Sequence, residues 1–174
     1  SKQGLVPVLK DSTAVVTDSW DILTYLESKY TDQLSLFPNG TTTARFIKHW
    51  VESSLYPLLA PIVIKDIHDH LDAADQVYFR ESREKRFGMT LEAFSTKAAQ
   101  THPLLEKALE PLRRRLKESP YIEGEHPSAS DYIALGLFLW ARGCCKTPLL
   151  HKDDPIYLWR DTLFKAYSLS LIHI

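Results

Sequence analysis

Hydrophobic and polar positions divide the chain into a short β-like beginning and a long helical remainder. Residues 5–9, LVPVL, and 14–17, AVVT, are apolar, β-branched runs separated by the polar KDST, a pattern that predicts a hairpin. Pro7 falls inside the first run and has no N–H to donate. That strand therefore needs an edge position, a bulge or an unusual peptide bond. From Ser19 to Tyr30 the period changes. Ile22, Leu23, Leu26 and Tyr30 fall on one helical face, with Asp21, Glu27 and Lys29 on the other. Residues 31–40, TDQLSLFPNG, read as a linker ending in the turn dipeptide Asn39-Gly40.

Beyond the linker the texture is helical throughout. Residues 42–71 carry Phe46, Ile47, Trp50, Val51, Leu55, Leu58, Leu59 and Ile62 at three- and four-residue spacings, and Pro57 and Pro61 are expected to bend that helix. A break is expected around Gly88. A second long helix then runs from about Leu91 to Lys117, with His102-Pro103 as its point of interruption. Ser128 and Asp131 stand three apart ahead of the apolar run Tyr132 to Trp140, an acidic version of the capping box. That run is apolar nearly all round, as suits a helix at the centre of a bundle, and Gly143 is a plausible stop. Asp153-Asp154-Pro155 opens a last helix. The layout is ββα, a linker, then an all-α domain of about five helices. A two-stranded hairpin with one helix cannot bury a core alone. It must lean on the helical domain, or further strands precede Ser1.

Composition narrows the function classes. The 174 residues suit one domain, or one domain with part of another. A hydrophobic share of 44% and a charged share of 25% are those of a globular protein. With 21 basic and 22 acidic residues, there is no bulk electrostatic argument for nucleic acid or an anionic membrane. No apolar run reaches the length of a membrane span, and Ser-Lys-Gln-Gly at the start does not resemble a signal peptide. Cys144 and Cys145 are adjacent, where a mutual bridge would be strained. They read as two reduced thiols of a cytosolic protein.

A hairpin containing Val6-Pro7, then Asp18-Ser19 opening a helix, then a linker and a buried helix begun by Ser128 and Asp131, resembles a glutathione transferase over nearly the whole chain. The resemblance implies an α+β fold, with a partial thioredoxin-like ββα unit over residues 1–31, a linker over 32–41 and an all-helical C-terminal domain over 42–168. It implies a cis proline at Pro7, with the Val6 backbone pairing with the cysteinyl part of glutathione. Asp18 and Ser19 would grip the γ-glutamyl end, and Ser128 and Asp131 would serve folding rather than catalysis. The family's thiolate-stabilising Ser, Tyr or Cys lies on a first strand that would precede Ser1, so no catalytic residue carries over. Residues 169–174, LSLIHI, match a translation of CTGTCTCTTATACACATC. That string resembles a transposase adapter, so these residues are expected to be a non-native tail.

YFRESREKRFG at 78–88, ASDYIALGLFLWARG at 129–143 and DDPIYLWRDTL at 153–163 are similar to a fungal glutathione transferase class related to bacterial lignin β-etherases. That likeness implies a cytoplasmic detoxification enzyme, commonly a homodimer. It would use glutathione as co-substrate, with no metal, on hydrophobic aromatic electrophiles or aryl ethers. Its electrophile pocket would draw on Trp50, Ser53, Ser54, Tyr56 and Trp140, although core packing competes for both tryptophans. The alternative is a non-catalytic relative that carries phenolic ligands, and a plain helical bundle is the third reading.

The residues themselves allow the same site. A helix N-terminus offers unpaired N–H groups and a positive dipole end to a carboxylate. A serine hydroxyl can donate to that carboxylate, and an aspartate can accept from an ammonium. On the dipeptide alone, ordinary N-capping by Asp18 or Ser19 is the simpler reading, and the Val-Pro hairpin beside it turns the balance. Other features read as structural. His68 and His70 point to different helix faces, Arg113, Arg114 and Arg115 form a solvated face, and Trp20 lies on the outer side of its helix.

Overall fold

A computed structural model describes residues 6–12, 14–146 and 148–167. β1 (Val8–Lys10) and β2 (Val15–Thr17) pair antiparallel, with Val8 opposite Thr17 and Lys10 opposite Val15. The turn closes through Asp11 N–H to the Ala14 carbonyl at 2.8 Å. The Val6–Pro7 peptide bond is cis, and Pro7 lies ahead of the ladder. The strand is thus shorter than the apolar run, and the missing proline N–H interrupts no pair. α1 (Ser19–Lys29) follows directly. Tyr30 lies just past it and is exposed, rather than on its inner face. The Asp11 carboxylate binds the Lys29 ammonium and, at 2.9 Å, the Tyr25 hydroxyl, which ties the hairpin turn to the end of α1.

The linker folds back over α1. Phe37 is buried against Trp20 with ring centroids 5.5 Å apart, and Ala44 and Ala129 complete the cluster. The Arg45 guanidinium lies 3.8 Å from the centre of the Trp20 ring. Trp20 is therefore an anchor, 7% exposed, and not an outward-facing side chain. Local periodicity could not place it, because its partners come from a linker and two later helices. Glu27 accepts from Leu36 N–H at 2.7 Å, and the Leu36 carbonyl accepts from Ala129 N–H at 2.8 Å. The ββα unit leans on the helical part through these contacts.

α2 (Thr41–Trp50), a π-helical turn (Val51–Leu55) and α3 (Tyr56–His70) run on from one another. The π turn ends just ahead of Pro57, where a wide turn relieves clash with the proline ring, and Pro61 lies inside α3. α4 (Ala73–Phe87) ends at Gly88, whose left-handed φ of 67° favours glycine. The expected second long helix is three: α5 (Leu91–Ser95), α6 (Ala98–Ala108) and α7 (Glu110–Glu118). Pro103 does not interrupt it but lies inside α6. Pro111, in the first turn of α7, lacks the N–H that would continue the α6 ladder. α8 (Ala129–Cys144) continues past Gly143, and α9 (Pro155–Ala166) is capped by Asp154, which accepts from Ile156 N–H at 2.8 Å.

Eight helices therefore follow the linker among the described residues. α3 packs on α6, α2 on α8 and α7 on α9. Leu55, Leu59, Leu105, Leu109, Phe138, Ile156 and Leu163 are fully buried between them. The arginine run is not one solvated face. Arg113 joins α7 to the start of α9 through Asp154 at 2.9 Å and to α6 through Glu106 at 2.6 Å, and Arg115 donates to the Ile122 carbonyl at 2.9 Å. Only Arg114 is fully in solvent. No helix among the described residues is long and apolar enough to cross a membrane. The expected tail at 169–174 lies outside the described residues.

Candidate functional site

The start of α1 has unusual backbone geometry. Asp18 sits at φ 76° and ψ 133°, a conformation that costs a non-glycine residue of order 1–3 kcal/mol and that concentrates at ligand sites. Its Oδ1 accepts from Trp20 N–H at 2.8 Å and from Asp21 N–H at 3.4 Å, so Asp18 does cap the helix. Capping occupies two of the free donors and one carboxylate oxygen. Ser19, the first helical residue, is exposed, and its N–H and hydroxyl make no hydrogen bond to the described residues. The donors left for an anion at the positive end of α1 are thus those of Ser19.

Ser19 and Pro7 lie on a cleft of about 460 Å³ between the hairpin, α1 and the helical part. Ile22 and Leu23 of α1 form one wall, Lys48, Val51 and Glu52 of the α2–π-turn segment a second, and Tyr132 and Ile133 of α8 a third. Lys48 and Glu52 pair with each other on that wall. The Tyr132 hydroxyl meets that of Tyr167, and burial together with this partner pushes the Tyr132 phenol well above its ordinary pKa. It is a neutral hydroxyl at physiological pH. Val6, beside the cis bond, is 91% exposed and precedes the first ladder pair.

The five residues expected at an electrophile pocket lie elsewhere. Tyr56 and Trp140 stack with centroids 5.2 Å apart and planes 5° from parallel. Trp50 lines a separate groove with Phe46, Pro111 and Ile122. Ser53 donates to the His49 carbonyl of its own helix at 2.6 Å, and Ser54 is half-buried on the π turn. None of the five lines the cleft at Ser19. Lys48, Val51, Glu52 and Tyr132 went unnoticed in the sequence because nothing local separates them from core and surface positions.

The profile described as glutathione S-transferase, C-terminal domain, matches residues 42–154. The chain belongs to the glutathione S-transferase family. Its fold is similar to that of glutathione transferase GSTFuA3 from Phanerochaete chrysosporium, at 24% identity and TM-score 0.74, over 98% of this chain and 71% of that one. A glutathione S-transferase of Ceriporiopsis subvermispora, solved in complex with glutathione, matches at 21% identity and TM-score 0.74, over 95% of this chain and 72% of its own. GSTFuA2 from Phanerochaete chrysosporium matches at 26% identity and TM-score 0.69, over 92% of this chain and 64% of its own. These likenesses place the two strands and α1 as the ββα part of a thioredoxin-like unit, followed by the all-helical domain.

In this glutathione S-transferase family member, Asp131 is a hub rather than a simple cap. Its Oδ2 accepts from Ser128 N–H and the Ser128 hydroxyl, both at 3.0 Å. Its Oδ1 accepts from Ile122 N–H and Trp159 Nε1, both at 2.9 Å. Ser128 and Asp131 are fully buried. The Asp131 carboxylate thus joins the start of α8 to the loop before it and to α9. Trp159 was the unforeseen partner, since no spacing rule links residues so far apart in sequence. Both cysteines are free thiols, and burial pushes Cys145 up to about 11. His70 Nδ1 lies 2.6 Å from the Asp66 carbonyl and His68 Nδ1 lies 3.2 Å from Asp69. No metal-like cluster of three or more such side chains occurs among the described residues.

Proposed function

We propose that the protein is a glutathione transferase, in which the Val6–Pro7 hairpin and the Asp18–Ser19 helix start hold glutathione beside a cleft for an aromatic electrophile. One observation carries the reading: Pro7 of the hairpin and the uncommitted Ser19 donors line one and the same largely apolar cleft. Ser19 N–H and its hydroxyl donate to the γ-glutamyl carboxylate, favoured by the helix dipole. Asp18 Oδ2, left free by capping, accepts from the γ-glutamyl ammonium. The Val6 backbone, ahead of the ladder, pairs with the peptide as an added strand would. A similar fold solved with glutathione bound supports this reading.

The reaction needs the glutathione thiol, with a free pKa of about 8.5, as a thiolate near neutral pH. In this reading none of the site residues assigned here stabilises it, and the chain divides at 1–31, 32–41 and 42–168 as the resemblance implies. The complete protein is then a cytoplasmic homodimer of the etherase-like class, acting on hydrophobic aromatic compounds or aryl ethers. Val51, Ile133 and Tyr132 provide the apolar wall and one neutral hydroxyl for that substrate.

Ser19→Ala in the complete protein should weaken glutathione binding by about tenfold, the value of a hydrogen bond to a charged group. Titration calorimetry measures it, and an unchanged Kd refutes the assignment. This 174-residue chain alone should not turn over glutathione with an aryl electrophile, since no residue assigned here stabilises the thiolate, and measured turnover would contradict that assignment.

A further inference from the structure

A second cavity, of about 260 Å³, opens at the other end of α8. Ala141 and Arg142 on this cavity are nine residues along α8 from Tyr132 and Ile133 on the first cleft, roughly 13 Å at the helical rise. Its apolar lining includes Pro148, Leu149 and Leu150, and its charged groups are Arg142, Lys146, Lys152 and Arg160. No acidic residue lines it among the described residues.

The cations are not equivalent. Lys146 is committed to Asp69 at 2.9 Å and Asp66 at 3.6 Å. Arg142, Lys152 and Arg160 pair with no carboxylate among the described residues, and Asp161, next to Arg160, is held by Lys165 at 2.7 Å. Arg160 is 9% exposed, and its buried Nε has no hydrogen-bond partner among the described residues. Its guanidinium lies 4.6 Å from the Tyr157 ring centre and 5.7 Å from that of Phe164, and the Arg142 guanidinium lies 4.3 Å from the same Phe164 ring. Two guanidiniums therefore crowd one aromatic ring. Burial first, and Arg142 second, pull Arg160 below its ordinary pKa. An uncompensated buried charge is costly, and an apolar side chain in its place is often more stable.

We propose that this cavity binds a small organic anion, a carboxylate or comparable oxyanion on an apolar body, with Arg160 and Arg142 taking the charge and Pro148, Leu149 and Leu150 the body. A guanidinium offers a planar fork that suits a carboxylate. The volume lies just below the range of about 300–1,000 Å³ typical of drug-sized ligands. A single ring or a short chain fits that size. The site shares no residue with the cleft at Ser19 and does not depend on glutathione binding there.

The test uses this chain with sodium benzoate, benzyl alcohol and inorganic phosphate, read by calorimetry and thermal unfolding. Benzoate should bind one to one and raise Tm, benzyl alcohol should not, and phosphate should bind more weakly. Arg160→Met should weaken benzoate by about tenfold or more, the loss of a charged hydrogen bond, while the ligand-free Tm holds or rises. Should that variant fail to fold, Arg142→Gln and Lys152→Gln at exposed positions should each weaken benzoate without lowering Tm. Arg114→Gln on α7 should change nothing. Equal Tm shifts from benzyl alcohol and benzoate would overturn the proposal, as would benzoate affinity unchanged in the Arg160 or Arg142 variants. Phosphate binding as tightly as benzoate would overturn the requirement for an apolar body.

Discussion

Removing the Asp131 carboxylate should be among the most damaging single changes in the chain. Asp131→Ala leaves Ile122 N–H, Trp159 Nε1 and Ser128 N–H without their acceptor in a buried setting. The Ser128 hydroxyl can still turn to Glu123, 3.2 Å away. A buried donor left unsatisfied costs about 1–3 kcal/mol, so three such donors with partial relaxation amount to roughly 4 kcal/mol. Out of a total stability of about 5–15 kcal/mol that is a large share, and at about 2–4 °C per kcal/mol for this size it lowers Tm by roughly 8–16 °C. Urea unfolding followed by circular dichroism and tryptophan fluorescence measures it. The double change with Trp159→Phe should recover part of the sum, because one stranded donor is then gone. A loss below about 1 kcal/mol for Asp131→Ala would refute the hub, as would strict additivity with Trp159→Phe.

Two further changes probe the docking of the parts. Trp20→Ala should destabilise by about 3 kcal/mol, the low end for a buried aromatic, and should open the linker at residues 30–40 to limited proteolysis; an unchanged cleavage rate would contradict the anchoring role. Glu92 is held down to about 2, chiefly by its hydrogen bonds from Arg80. A carboxyl with a depressed native pKa stabilises the fold above its unfolded value and loses that contribution as pH falls. Wild type should therefore lose stability between about pH 5 and 2 that Glu92→Gln does not, as denaturant unfolding at stepped pH would show.

The legible part of the site was the part written in local chemistry. Ser-x-x-Asp before an apolar run marked the start of α8, Val6-Pro7 marked an irregular strand start, and Asp18-Ser19 marked a helix N-terminus. Each rests on rules that act within four residues, so each is visible without neighbours. The wall of the cleft was illegible for the opposite reason. Val51 and Tyr132 sit in apolar runs whose members differ only in what packs against them.

The sequence by itself determined the order ββα then helices and the caps at Asp18, Ser128 and Asp154, since these follow from backbone propensity and side chains near in sequence. Tertiary structure alone decided that Trp20 is buried, that Arg113 bridges α7 and α9, that Asp131 serves Trp159, and that Arg160 forms no ion pair among the described residues. Those outcomes depend on residues brought together from distant parts of the chain. The free energy of a buried ring or charge is set by those neighbours and not by its own segment.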